Sequence, residues 1–168
     1  TLQDARAWYP EHDDVHGFGH IERVYRLCQK IGQAEGADME ILLTAALLHD
    51  AQGSHPGENS RDDHHLRSAD FAGEVLSGMG WPTEKIALVQ HCIRAHRYRK
   101  EDIPESLEAK VLFDADKLDV IGAVGVVRAL AYAFQAGTPA FARPSGYFLE
   151  QGKTQAGEPH SAYHEYLF

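Results

Sequence analysis

Cysteine is scarce in this chain, and long apolar runs are missing from it. Cys28 and Cys92 are the two cysteines among 168 residues, and they form neither a CxxC pair nor a zinc-ribbon spacing. This usage predicts reduced core thiols in a cytosolic protein, with a disulfide between them as the less favoured alternative. No apolar run approaches the roughly 20 residues of a membrane span, and there is no signal-peptide pattern. We therefore expect a cytoplasmic protein without a membrane partner.

Positive charge is also in short supply. The chain has 16 lysines and arginines against 25 aspartates and glutamates, which gives a formal net charge of -9. Nonspecific binding to nucleic acid depends on basic side chains that neutralise backbone phosphates. A nucleic acid polymer is therefore not expected as a partner, whereas a small anionic substrate held by a metal ion is compatible with this charge.

Histidine, by contrast, is abundant, and its 11 copies lie in clusters. The clusters are His12, His16 and His20; His49 and His55; His64 and His65; His91 and His96; and His160 and His164. His49 stands beside Asp50 at the end of the apolar run ILLTAALLHD. A carboxylate there is disfavoured by the partial negative charge of a helix C-terminus and by the cost of burying an unpaired anion. The sequence therefore predicts a cation against Asp50, and a divalent metal is the simplest candidate.

The apolar residues repeat with helical spacing along most of the chain. Ile21, Val24, Cys28 and Ile31 follow the i, i+3, i+4 rule, and Gly36 is placed to end that helix. Helices are predicted over 1–9, 20–35, 39–50, 65–79, 83–96 and 107–134, the last one broken near Ile121-Gly122. Because there is no alternating strand pattern and no internal repeat, we predict an all-α fold, a compact helical bundle.

Two segments between and after these helices are predicted to be irregular. Residues 51–63, AQGSHPGENSRDD, form a predicted surface loop that is long enough to cover a site. The tail over 137–159 is rich in glycine and proline, and a last helix is expected to start at Ser161 and to be cut short at Phe168. At 168 residues the chain fits a single domain over 1–168, whose motif-bearing region runs from about 14 to 128.

Four side chains are predicted to bind the metal. They are His20, His49, Asp50 and Asp116. His16 is a rival for the position of His20, and Asp114 is a rival for that of Asp116. Asp116 and Asp119 lie three residues apart and repel each other unless a cation or an arginine intervenes. Two imidazoles with two carboxylates suit one divalent Mn, Fe, Co, Ni or Zn ion, and they accept Mg more readily than thiolates would.

The order of these four side chains resembles the H…HD…D signature of the HD-domain metal-dependent phosphohydrolases. The segments HGFGHIERV, AALLHDA, HHLRSA, CIRAHRY and DADKLDVIGAVGVVR resemble a bacterial branch of small, stand-alone HD hydrolases. The resemblance implies a helical fold of the HD type with one metal bound by those four side chains. It also implies that metal-activated water hydrolyses a phosphate ester or a nucleotide phosphoanhydride, so a small phosphorylated substrate, most simply a nucleotide, is the expected partner.

The resemblance also suggests roles around the ligands. His65 and His96 fall where some HD relatives bind a second metal, and either one could instead protonate the leaving oxygen. Arg23 and Lys117 are candidates to bind the substrate phosphate, with Lys117 also assisting catalysis, and the alternative for both is a surface ion pair, for example to Asp119. We expect Asp119 to support the ligands from behind.

One departure from the family pattern leaves the general base unassigned. Some single-metal HD nucleotidases carry a glutamate soon after the HD pair, whereas Ala51-Gln52-Gly53 follow it here. Asp50 or Asp116 could orient the attacking water instead. Two rival functions stay open at this point: an HD-fold di-iron oxygenase, and a nucleotide-binding sensor module without turnover. The sequence predicts no particular oligomeric state.

Overall fold

The computed structural model describes residues 1–9, 17–53, 63–97, 102–135, 137, 139 and 142–152. Within these ranges the chain contains helices and no strand, which confirms the predicted all-α fold. The elements are α1 (Leu2–Ala5), a short 3-10 helix (Arg6–Trp8), α2 (Phe18–Glu35), α3 (Met39–Leu48), α4 (His64–Gly78), α5 (Thr83–Ala95), α6 (Leu107–Leu118), α7 (Gly122–Gln135) and α8 (Gly146–Gln151). The chain divides into two compact units, Thr1–Asp119 and Val120–Phe168.

Helix α3 is the centre of the first unit. The Asp38 side chain caps it by accepting hydrogen bonds from the main-chain N–H groups of Glu40 and Ile41, as predicted. The helix packs against α2, α4, α5 and α6. A Cβ atom on Gly32 of α2 would lie 2.3 Å from Leu42 Cδ2, so glycine is needed where α2 approaches α3. An apolar helix surrounded on all sides in this way delivers the residues that follow it into the interior.

The core around α3 contains both cysteines. Cys28 and Cys92 are free thiols with no exposed surface. Burial raises the pKa of each thiol to about 12, because the thiolate would lose its hydration. The prediction of reduced core thiols is therefore confirmed.

The second unit corrects one prediction. Residues 146–151 fall in the tail that we expected to be irregular, yet they form α8. The Ser145 side chain caps this helix by accepting a hydrogen bond from the Phe148 N–H, and Gly152 ends it at φ 64°. The predicted break before α7 is confirmed.

Several predictions fall outside the described residues, namely most of the 51–63 loop, the helix from Ser161, and His16. The prediction of one domain over 1–168 stays a prediction. Among the described helices, no single one is both long and apolar enough to cross a membrane.

Candidate metal centre

The four predicted ligands come from three helices of the first unit. His20 lies in the first turn of α2, His49 and Asp50 directly follow α3, and Asp116 lies in the last turn of α6. His20 is 3%, His49 0% and Asp50 7% exposed. Asp116 is only partly buried, but its rival Asp114 is exposed. The fold therefore places four polar side chains together beside the apolar core.

The donor atoms of these side chains converge. His20 Nε2 lies 3.4 Å from His49 Nε2, 3.7 Å from Asp50 Oδ2 and 3.3 Å from Asp116 Oδ1. His49 Nε2 lies 3.8 Å from Asp50 Oδ2. The donors of His20, His49 and Asp50 all lie within 4.8 Å of one another, and Asp116 borders this group through its contact with His20. We call these four side chains the metal-ligand group.

Hydrogen bonds on the far side of each ring decide which nitrogen faces the group. His20 Nδ1 lies 2.8 Å from Asp119 Oδ2, and His49 Nδ1 lies 2.9 Å from the carbonyl oxygen of Ala46. Each of these partners accepts, so each Nδ1 carries the hydrogen and each Nε2 presents a lone pair. Two lone pairs that face each other at 3.4 Å repel unless a cation lies between them.

The residues fit a bound metal ion by distance and by donor chemistry. Nitrogen and oxygen donors lie about 2.0–2.2 Å from a transition metal, so two donors of one ion are at most about 4.4 Å apart. The separations among His20, His49 and Asp50 and the one between His20 and Asp116 meet this limit, whereas Asp116 lies outside the set of donors that are all within 4.8 Å of one another. In addition, Asp50 Oδ1 is buried and makes no hydrogen bond of normal geometry within the described part of the chain.

The site is also electrostatically prepared for a cation. Burial lowers the pKa of His49 to about 4, so this ring is neutral at pH 7 and its lone pair is available. Burial opposes ionisation of Asp50, but the neighbouring His49, His64 and His96 hold the pKa of its carboxyl well below the usual range. Asp116 behaves in the same way, because Lys117 and His20 outweigh the effect of burial on its pKa. Both carboxylates are therefore ionised at neutral pH.

A second group of donors shares Asp50. His64 Nε2 lies 3.4 Å and His96 Nε2 lies 3.6 Å from Asp50 Oδ1, and all three side chains are buried. From the sequence, His65 was predicted to act together with His96, and no role was predicted for His64. His65 is also buried, and its ring lies edge-on to His64 at 5.7 Å. The doubled histidine at 64–65 was the available signal, but it does not show which ring turns toward Asp50.

Asp119 lies behind His20. Besides the contact with His20 Nδ1, its carboxylate accepts two hydrogen bonds from Arg23, Nε to Oδ1 at 2.6 Å and Nη2 to Oδ2 at 3.0 Å. Asp119 is 5% exposed. The carboxylate fixes the His20 ring and raises its basicity, as partners behind metal-bound histidines generally do. The ion pair between Arg23 and Asp119, left open by the sequence, is thus present.

Lys117 contacts one residue of the metal-ligand group, Asp116, and one residue of the second group, His96. Its Nζ lies 2.5 Å from Asp116 Oδ2 and donates to the His96 carbonyl oxygen at 3.1 Å. Whereas the sequence suggested a surface ion pair as the alternative to phosphate binding, Lys117 is bonded inside the site and only 31% of its side chain is exposed.

Comparison with known proteins agrees with this geometry. Residues 17–121 match the family model of the HD domain. The chain belongs to the HD-domain family. This HD-domain chain is 36% identical over 141 residues to the uncharacterized protein YpgQ of Bacillus subtilis strain 168. The match covers 78% of the chain but only 65% of YpgQ, so the chain spans just under two thirds of the length of this relative.

Solved structures give the same fold. A predicted HD superfamily hydrolase from an uncultured Thermotogales bacterium is 36% identical, with a TM-score of 0.66 over 78% of this chain and 72% of that one. B. subtilis YpgQ in complex with ADP is 31% identical, with a TM-score of 0.65 over 90% of this chain and 79% of that one. The HD-domain chain therefore has the fold of the HD-superfamily hydrolases, as the sequence predicted.

Proposed function

We propose that this HD-domain protein is a cytoplasmic, metal-dependent phosphohydrolase that cleaves a phosphate ester or a nucleotide phosphoanhydride with water. The observation that carries the proposal is the buried convergence of two imidazole Nε2 atoms, 3.4 Å apart, with the Asp50 carboxylate at 3.7 and 3.8 Å. Two imidazoles and two carboxylates leave coordination positions open for water and substrate, as catalysis requires.

His20, His49, Asp50 and Asp116 would hold the ion, which can be Mn, Mg, Co, Ni, Zn or Fe. A divalent ion bound there supplies a Lewis acid that lowers the pKa of its water and neutralises charge on a phosphoryl oxygen. Asp50 or Asp116 would orient the attacking water by accepting its hydrogen bond. A second ion is proposed at the group of Asp50, His64 and His96, whose donors lie within 4.8 Å of one another.

The surrounding side chains would act on the substrate. Arg23 and Lys117 would bind phosphate oxygens, because both carry positive charge beside the metal-ligand group. Where the group of Asp50, His64 and His96 holds no second ion, His96 would protonate the leaving oxygen, with His65 and His64 of α4 as the alternatives. A nucleotide is the proposed substrate class. The ADP complex of B. subtilis YpgQ, a 31% identical relative, supports that choice.

The test is release of phosphate and pyrophosphate from a panel of nucleotides and simple phosphate esters. Protein stripped of metal is reloaded in turn with Mn, Mg, Co, Ni, Zn and Fe(II). Release that depends on the metal is expected, and the product identifies the bond that is cut. Tight metal binding with no product across the whole panel would contradict the proposal.

An HD-fold di-iron oxygenase is the second candidate. The observation that favours it is the position of Asp50, whose two oxygens face separate pairs of histidines: Oδ2 faces His20 and His49, and Oδ1 faces His64 and His96. A carboxylate shared in this way suits two adjacent ions. Iron near two per chain together with oxygen consumption would support the oxygenase, whereas phosphate release without oxygen consumption would exclude it.

A further inference from the structure

The N-terminal segment, residues 1–9, lies outside the part of the chain that matches the HD family, yet it contacts the helices that carry the ligands. The Tyr9 hydroxyl donates a hydrogen bond to the carbonyl oxygen of Leu47 at 2.8 Å. The Tyr9 ring packs against Phe18 with ring centres 5.8 Å apart. Trp8 meets Phe71 of α4 edge-on at 5.7 Å. One short segment therefore touches α2, α3 and α4.

Each of these contacts lies close in sequence to a residue of the site. Leu47 precedes His49 by two positions, and Phe18 precedes His20 by two. We propose that Tyr9 is a positioning residue, which holds the end of α3 and the start of α2 together and so sets the distance between His49 and His20. This inference rests on the proposed metal-dependent function, but it concerns residues that the function does not use.

The Leu47 carbonyl explains why the hydroxyl matters. The last carbonyl groups of a helix have no partner within the helix and must find one elsewhere. α3 ends at Leu48, and Tyr9, itself only 7% exposed, supplies the partner for Leu47. Without the hydroxyl, the partly buried Leu47 carbonyl next to the ligand pair would lose this partner at a cost in free energy. The turn over residues 48–53 can relieve that cost only by moving, and His49 and Asp50 lie within it.

The contact between Tyr9 and Phe18 concerns His20, which follows Phe18 by two positions. Phe18 is the first residue of α2, and the guanidinium of Arg6 lies 5.5 Å from the centre of its ring. The Phe18 ring is therefore held by two residues of the N-terminal segment, Arg6 and Tyr9. The contacts of the segment bear on both histidines whose Nε2 atoms face each other at 3.4 Å.

The test compares Tyr9→Phe with Tyr25→Phe. Tyr25 is the matched control, because it is a partly buried tyrosine on α2 that packs against the core. The first measurement is the affinity of nucleotide-free protein for Mn²⁺ by titration calorimetry. We expect about tenfold weaker binding for Tyr9→Phe, the lower end of what loss of a supporting partner costs, and no change for Tyr25→Phe. Wild-type affinity in folded Tyr9→Phe would overturn the inference.

A second measurement needs no metal. The amides of Ala51 and Gly53 donate to Leu48 and Asp50 and close the turn after α3. Their hydrogen exchange should be several-fold faster in Tyr9→Phe than in wild type or Tyr25→Phe. If wild-type protein bound no divalent ion, the proposed function would fail, and this exchange rate would still decide the inference. Unchanged exchange would overturn it.

Discussion

The thiols of Cys28 and Cys92 and the carboxylates of Asp50 and Asp116 lie in the same unit of the protein, but their charge states differ. Burial raises the pKa of both thiols to about 12, so they stay neutral. Burial acts in the same direction on the two carboxylates, yet their pKa values lie well below the usual range. Depth alone therefore does not decide whether a group is ionised in this protein.

The difference comes from the neighbours. The thiols lie in an apolar core, whereas the carboxylates face imidazoles and the ammonium of Lys117. Keeping two anions ionised in such surroundings is expensive unless polar or positively charged partners face them. Such an arrangement suits the binding of a further cation, and each variant described below removes or tests one part of it.

Asp50→Asn should have the largest effect. The substitution keeps the size of the side chain but removes the carboxylate that both donor groups share. We expect Mn²⁺ affinity to fall more than about 100-fold, beyond the usual cost of losing a partner behind a ligand, and hydrolysis to fall with it. Calorimetry and the product assay measure the two losses, and far-UV circular dichroism checks that the helices persist. An active, metal-free Asp50→Asn protein would refute the metal centre.

Asp119→Asn should have the next largest effect. Asparagine still accepts a hydrogen bond from His20 Nδ1, but it removes the negative charge that makes the ring more basic and that pairs with Arg23. We expect Mn²⁺ to bind about 10–100-fold more weakly, because that is the usual cost of losing a carboxylate behind a metal-bound histidine. Unchanged affinity would show that Asp119 serves only the ion pair with Arg23.

His64→Gln and His65→Gln separate two adjacent histidines. The Nε2 atom of His64 faces Asp50 Oδ1 at 3.4 Å, so His64→Gln removes a partner of a ligand and should lower the rate of hydrolysis about tenfold, and His65→Gln should lower it less. The assay is the same product release at saturating metal. A larger loss for His65→Gln would favour the assignment that the sequence suggested.

This pair of histidines also shows what the sequence could and could not predict. Neighbouring residues on a helix point about 100° apart, and the packing of α4 against α5 decides which of these two buried rings faces Asp50. That rotation is a tertiary property, so the doubled histidine predicted a site residue without identifying it. The position of the HD pair could be predicted because α3 is apolar nearly all round. The residues that follow such a helix lie in the interior whichever way the helix is rotated.

Contacts across long sequence separations were the least predictable. Arg23 and Asp119 are 96 residues apart, and their pairing depends on how α2 packs against α6. The helix α8 escaped prediction for a different reason. Glycine and proline around it predicted an irregular tail, but the local cap at Ser145 and the turn at Gly152 were sufficient for a short helix. Capping residues carried more information there than composition did.

The smallest effect is expected for the two thiols in the apolar core. The pH dependence of unfolding tests whether they stay neutral in the fold. The thiols have a pKa of about 12 in the fold and an ordinary value of 9.0, so above pH 9 the unfolded chain loses protons that the native protein keeps. The stability that the two protonated thiols contribute is therefore fully present below pH 9 and is lost as pH rises toward 12. Between pH 8 and 9.5 each thiol should remove about 1 kcal/mol from the free energy of unfolding.

Denaturant unfolding of reduced protein at both pH values measures this loss. In Cys28→Ala and Cys92→Ala the difference between the two pH values should shrink by about 1 kcal/mol each, the contribution of one thiol. The phenol of Tyr9, whose pKa burial also raises, acts in the same direction and is present in wild type and variants alike, so it cancels in the comparison. An equal pH difference in wild type and both variants would mean that the thiols ionise as readily in the fold as in the unfolded chain. In that case the core would not be as dry around α3 as the contrast with the ionised carboxylates requires.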